Sequence, residues 1–303
     1  LSQTYPTTEM EVVIADGFST DRTRAEILAF QKENPALVVK LVDNPRRNIP
    51  AALNTALAVA SGEWIIRLDA HSTPAPDYIE RCVAALRLGE GDVVGGVWQI
   101  EPGGPGWVAR SIALAAAHPF GVGDALYRFT THAAVVDTVP FGAFKRVLFE
   151  RVGKFDENLL TNEDYELNTR VRQAGGRIWL DPAIRSRYFA RASLAALARQ
   201  YFRYGFWKLR MLRRYPATLR WRQALPPLFV LALVVLAVLT PFWNLARMLL
   251  LVQVSLYLLV LMAGALPVAI REKDARLLVG LPLSIATMHL AWGGGFWISL
   301  LKK

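Results

Sequence analysis

The chain has 303 residues, a mass of 33.7 kDa, 53% hydrophobic residues and a formal charge of +10. That apolar content excludes a disordered tail, and the length allows one large domain or two. A mean hydropathy of +0.26 is high for a soluble enzyme, and its source is a concentration of apolar residues toward the C-terminus.

In chain order, residues 10–15 (MEVVIA) form a short β-branched run that ends at Asp16-Gly17, and 20–34 reads as a helix with acid early and Lys32 late. A strand over 38–42, a helix over 50–60 and a strand over 64–68 that ends on Asp69 come next. Residues 76–88 then read as a helix and 92–100 as a strand. Strand and helix alternating at these lengths predict an α/β fold, with a mostly parallel sheet covered on both faces. Ligands of such sheets sit beyond the carboxyl ends of the strands, where Asp16 and Asp69-Ala70-His71 stand. The single cysteine, Cys82, excludes an internal disulfide and a Cys-rich zinc site. No secretory signal opens the chain, which starts at Leu1 rather than Met, so a trimmed or fragmentary start is expected.

Residues 185–222 hold eleven Arg or Lys, nine aromatics and no acid. Such a segment suits an anionic leaflet, and a single-strand nucleic-acid groove has the same composition. Its place directly ahead of the apolar runs favours membrane lipids as the partner, with no nucleic acid expected, and Ser193 is a plausible N-cap for a helix lying in the membrane plane. Residues 223–246, 248–270 and 277–301 contain no Asp, Glu, Lys or Arg. The chain therefore divides into a soluble domain (1–184), a basic and aromatic interfacial segment (185–222) and three transmembrane helices (223–303), at about 225–245, 248–270 and 277–300. Arg271, Lys273 and Arg276 in the second connector place that connector and the soluble domain on the cytoplasmic side.

Several residue groups can carry chemistry. Asp16, followed by Gly17, Ser19 and Thr20, can accept hydrogen bonds from a base or a sugar, although an ordinary helix-capping turn reads alike. Asp69 and His71, one residue apart at a strand mouth, can offer an oxygen and an imidazole nitrogen to one divalent ion, Mn2+ or Mg2+; a capping turn with a surface histidine is the plainer alternative. Glu163 and Asp164 open a predicted helix over 165–173, whose positive end would hold a carboxylate ionised for use as a base. Gly142 and Ala143 lie between Phe141 and Phe144, as in a sugar-stacking wall or in a buried strand. Gln200 and Arg203 share a helix face, from which an Arg can meet a diphosphate or a lipid phosphate. Residues 118–123 (HPFGVG) form a Pro and Gly loop with no assignable partner.

Taken together and in order, these pieces resemble the family 2 glycosyltransferases of GT-A fold, most closely the membrane-anchored bacterial enzymes of succinoglycan-type exopolysaccharide synthesis. The resemblance covers nearly the whole chain, the three terminal spans included. It implies that Asp16 in VVIADGFSTDRT binds the nucleoside, that Asp69 in RLDAH is the first Asp of the metal-binding DxD, and that His71 replaces the second. Asp164 in NEDYELNTRVRQAG matches the catalytic base, with Glu163 beside it, and Gly142 and Ala143 match an acceptor-side segment. Gln200 and Arg203 match the QxxRW element of processive synthases, with Tyr204 in place of Trp. Leu1 to Pro6 resembles only the end of the family's first helix, so a sheet lacking its first strand is expected.

The expected function is inverting transfer of a sugar, from a nucleotide-sugar donor such as a UDP-hexose to a lipid-linked saccharide, at the bacterial inner membrane. A divalent metal would stabilise the departing diphosphate, with Arg203 adding charge. Two rivals stay open: transfer to polyprenyl phosphate itself, and a non-catalytic basic membrane scaffold or nucleic-acid binder built on the same fold.

Overall fold

The structure, a computed structural model, describes residues 2–69 and 72–302. In chain order the elements are β1 (Glu11–Asp16), α1 (Thr23–Glu33), β2 (Val38–Asp43), α2 (Ile49–Val59), β3 (Trp64–Ile66), β4 (Ser72–Pro74), α3 (Tyr78–Arg87), β5 (Val93–Glu101), α4 (Trp107–Ala117), α5 (Pro119–Val122), β6 (Ala134–Val135), β7 (Ala143–Lys145), α6 (Leu148–Val152), α7 (Glu163–Gln173), β8 (Ile178–Phe189), α8 (Leu194–Arg214), α9 (Trp221–Leu239), α10 (Asn244–Glu272) and α11 (Leu277–Leu301). Each strand and helix expected before residue 100 is present, within three residues of its expected ends.

The chain divides into two compact units, and the division does not follow chain order. Thr130–Arg187 joins the N-terminal strands and helices, whereas Gln99–Phe129 joins the C-terminal helices.

In the first unit β1 and β2 pair in parallel, with Asp16 opposite Asp43 at their carboxyl ends. A mixed six-stranded sheet runs in the order β3-β7-β5-β8-β4, with β6 added to β8. Because β7 is antiparallel to both β3 and β5, those two strands point the same way on either side of it. The apolar face of α3 supplies Tyr78, Cys82 and Leu86 to a core shared with Val94, Ala143 and Ile184 of the sheet. Local signals start the helices. Asn48 Oδ1 accepts from Ala51 N at 3.0 Å ahead of Pro50 in the first turn of α2. Asn162, left-handed at φ 70°, turns the chain into α7, a conformation that Asn tolerates better than most residues.

The second unit is helical, with a core drawn from Ile112 and Ala115 of α4, Leu197 and Tyr201 of α8, Leu261 and Ala265 of α10, and Leu281, Ile285 and Met288 of α11. Ser193 caps α8 as expected, its Oγ accepting from Ala196 N at 3.3 Å. Helices α9, α10 and α11, of 19, 29 and 25 residues, are long and apolar enough to cross a membrane. At 1.5 Å per residue they reach about 28, 43 and 37 Å, against a hydrocarbon core of about 30 Å. Two cations of the basic segment are tied into the protein. Lys208 is 1% exposed and donates from Nζ to Thr218 O at 2.8 Å, and Arg222 pairs with Asp124. The 118–123 loop also finds its place, since Gly264 of α10 leaves room for Phe120 and Gly121 lies against Met288 of α11.

Candidate active site

Beyond the last residue of β3, the side chains of Arg67 and Asp69 alternate onto one side of the extended chain. Arg67 donates from Nε to Asp69 Oδ1 at 3.0 Å, and from Nη2 to Asp69 Oδ2 at 3.4 Å and to Glu163 Oε1 at 2.8 Å. Its backbone N–H reaches Gly142 O at 3.2 Å. The residue is 7% exposed and Glu163 is 5% exposed. Arg67 thus ties together three segments, its guanidinium joining the end of β3 to the first turn of α7 and its backbone N–H joining the entry to β7. Nη1 of the same group is buried and has no hydrogen-bond partner among the described residues. Burial works against the charge of Arg67, and Glu163, Asp69 and Asp164 outweigh it, raising its pKa.

The first turn of α7 carries Glu163, Asp164 and Glu166. Glu166 is held by Arg170 at i+4, with contacts of 2.5 and 2.8 Å, and Arg170 also donates to the carbonyls of Val152, the last residue of α6, and of Lys154 beyond it. That brace fixes the start of α7. Burial, then the neighbouring Asp164, push Glu163 up to about 7 although Arg67 opposes them. Asp164 is also raised, chiefly by burial and further by Asp69, despite Arg67 and a 2.7 Å bond from Tyr165 N. Desolvation thus acts against the helix terminus, which favours the ionised form of Asp164. A carboxylate raised in this way is a stronger proton acceptor near neutral pH than an ordinary Asp.

Asp16 is buried at the end of β1 and accepts from Ser19 N at 3.1 Å, from Ser19 Oγ at 2.5 Å and from Arg24 Nη1 at 2.8 Å. The same Arg24 nitrogen reaches Asp43 Oδ1 at 2.9 Å. The Ser19 and Arg24 bonds hold Asp16 below its usual range. Ala143 is fully buried and pairs with Val94 and Ile66, and Gly142 contributes its carbonyl to Arg67 rather than an open wall. In the second unit Gln200 is buried on α8. Its Nε2 donates to Tyr188 and Tyr204 hydroxyls at 3.1 and 2.8 Å, and its Oε1 accepts from Arg191 at 3.2 Å. Arg203 is exposed on the same helix. Of the expected site residues, Asp69, Glu163, Asp164 and Gly142 therefore meet at Arg67. Asp16 stands in its own network, and Gln200 with Tyr204 forms a third group.

Arg67 and Arg24 were not among the candidates read from the sequence. The signal for Arg67 was present, since a cation directly after the apolar WII strand needs a buried counter-charge. His71 lies outside the described residues, and among the described residues no three His, Cys, Asp or Glu side chains converge on one metal position. The donor chemistry nevertheless fits an oxygen-preferring divalent ion. Asp69 keeps 24% of its side chain exposed and has lone pairs beyond those Arg67 uses, and three carboxyl groups stand against a single guanidinium.

The acidic strand ends and the helix that begins with paired carboxylates belong to one compact unit. Residues 1–153 match the family described as Glycosyl transferase family 2, and the chain belongs to that family. It is 32% identical over 295 residues to the succinoglycan biosynthesis protein ExoA of Rhizobium meliloti (strain 1021), a match spanning 96% of this chain and 86% of that protein. It is 23% identical over 305 residues to a dolichyl N-acetyl-alpha-D-glucosaminyl phosphate 3-beta-D-2,3-diacetamido-2,3-dideoxy-beta-D-glucuronosyltransferase of Methanococcus voltae, spanning 99% of this chain and 90% of that one. Among solved structures, a mannosyltransferase from Pyrobaculum calidifontis in complex with GDP-Man and Mn2+ superposes with a TM-score of 0.64 at 22% identity, covering 98% of this chain and 81% of that one. The fold is GT-A, and the protein is a family 2 glycosyltransferase carrying three helices fit to span a membrane.

Proposed function

We propose that the protein is an inverting hexosyltransferase that moves a sugar from a nucleotide-sugar donor, a UDP-hexose, to a lipid-linked saccharide in exopolysaccharide synthesis. The observation that carries this reading is the gathering of Asp69, Glu163 and Asp164 around Arg67, which sets a carboxylate suited to holding phosphate-bound metal beside one suited to taking a proton. Asp164 accepts the proton of an acceptor hydroxyl while that oxygen bonds to the anomeric carbon. The bond from that carbon to the diphosphate breaks, leaving its electron pair on the diphosphate. General-base assistance of this kind contributes about 10² to 10⁴ in rate. Asp69, with His71, would hold Mn2+ or Mg2+, which when bound neutralises the departing diphosphate.

Asp16 receives the nucleoside, and the exposed Arg203 adds positive charge for a diphosphate. Gly142, Ala143, Gln200 and Tyr204 serve the acceptor side, the first two by shaping backbone and the others by ordering α8. A lipid-borne acceptor gives the apolar helices a purpose, because its sugar head sits at the interface where the basic segment lies. The basic residues of the 271–276 connector support a reading in which the catalytic unit faces the cytoplasmic side of a bacterial inner membrane. The names of the Rhizobium and Methanococcus relatives, one tied to an exopolysaccharide and one to a dolichyl-linked sugar, support this reading.

The test is a screen in membranes containing the full chain, with UDP-glucose, UDP-galactose, UDP-N-acetylglucosamine and GDP-mannose as donors. Undecaprenyl-diphosphate-linked hexose and bare undecaprenyl phosphate are the acceptors, each with and without Mn2+ or Mg2+. Metal-dependent transfer to the linked sugar is expected. Transfer to the bare phosphate alone would replace this reading with synthesis of a monophosphoryl donor, and metal-independent RNA binding without transfer would replace it with a scaffold.

A further inference from the structure

Arg67 supplies one bond set to Asp69, one to Glu163 and a backbone bond to Gly142, three segments that are otherwise far apart in sequence. Glu163 is 96 residues from Arg67 along the chain, so nothing local sets the separation between the end of β3 and the start of α7. The guanidinium does, because its planar fork fixes distance and angle to two carboxylates at once. A stabilising role alone does not account for the arrangement. Buried ion pairs are commonly no more stable than apolar residues of the same volume, and here a buried N–H of the cation is also left without a partner among the described residues. Such a cost is tolerated where geometry matters more than stability.

Resting on the transfer reaction proposed above, we infer that Arg67 is a positioning residue: it locks Asp69 to Glu163, and thereby sets the span between the phosphate end of the site and the adjacent proton acceptor Asp164. Arg67 is too enclosed to contact substrate itself. It acts through the two carboxylates it holds, and misplacing such groups by about 1 Å costs about 100-fold in rate.

The experiment is a kinetic cycle on the full chain, using the donor and acceptor that the wild type turns over fastest in the screen. Arg67→Met, Glu163→Gln, the double variant and Arg67→Lys are compared, with UDP and GDP binding measured in parallel. Each single neutralising change is expected to lower kcat about 100-fold while donor KM moves less than about threefold, and the double variant is expected to be no slower than the slower single. Lysine keeps the charge but not the fork, so Arg67→Lys is expected to leave kcat at least about tenfold down. The double variant carries no unpaired charge at this pair, so it reads the proposal even where a single variant does not fold. Multiplying losses in the double variant, a double variant at wild-type rate, or full rescue by Lys would each overturn the inference. A wild type that transfers nothing would instead sink the glycosyl-transfer reading itself.

Discussion

Two neighbouring glycines of α11 are expected to respond to the same substitution with opposite signs. A Cβ added at Gly295 would lie 2.9 Å from the backbone C and 3.1 Å from the Cα of Phe202 on α8, with the carbonyl oxygen closer still. These are rigid main-chain atoms, so Gly295→Ala must push the two helices apart by several tenths of an ångström or more, along a contact that Gly205 makes equally close against Trp292. Overpacking of this kind costs about 1–3 kcal/mol, offset by about 1 kcal/mol of improved helix propensity. Gly295→Ala should therefore destabilise by up to about 2 kcal/mol. At Gly294 the added Cβ meets nothing within 4 Å, so only the propensity remains and Gly294→Ala should stabilise by about 0.5–1 kcal/mol. The assay is the thermal midpoint of the detergent-solubilised chain followed by fluorescence. Equal shifts in the two variants, or a gain at Gly295, would refute the direct backbone packing of α8 on α11.

Two further outcomes follow from the first unit. Glu11 is raised by burial and lowered more strongly by Lys40 at 2.6 Å and by bonds from Ser61 and Gly62, which bring it from 4.5 to about 2. An acid lowered on folding stabilises above its unfolded value and loses that contribution as pH falls through the folded one. Glu11→Gln should thus cost about 1–2 kcal/mol at pH 7 after allowance for solvent screening, a difference that shrinks as pH falls below 4.5 and vanishes only below about 2; a pH-independent difference in thermal midpoint would contradict it. Removing divalent ions with a chelator should abolish sugar transfer and Mn2+ should restore it, with full activity in chelator the contrary result.

The parts of the fold visible in the sequence are those that local pattern decides. Three charge-free runs became α9, α10 and α11, and Ser193 capped α8 because a hydroxyl before an amphipathic stretch is a self-sufficient signal. The ends shifted where side chains outside the run take part. Helix α9 runs from Trp221 to Leu239 rather than from about 225 to 245, and α10 runs on to Glu272 until Lys273 turns left-handed at φ 51°. Helix α4 was not legible, because WVARSIALAAA is short and takes its partners from helices distant in sequence, α8, α10 and α11. Asp69 and Asp164 could be named from sequence, but their meeting could not. It depends on Arg67 reaching Glu163 across the fold, and a strand residue does not announce which distant helix it will hold. The raised Asp164 was hidden for the same reason, since burial is a property of the packed chain.

In the proposed reaction Asp164 takes the acceptor's proton, and Asp164→Asn removes that step while keeping the side chain's size. In membranes, transfer by this variant is expected to fall at least about 100-fold while the nucleoside diphosphate binds as in the wild type. Transfer at the wild-type rate by that variant would contradict it.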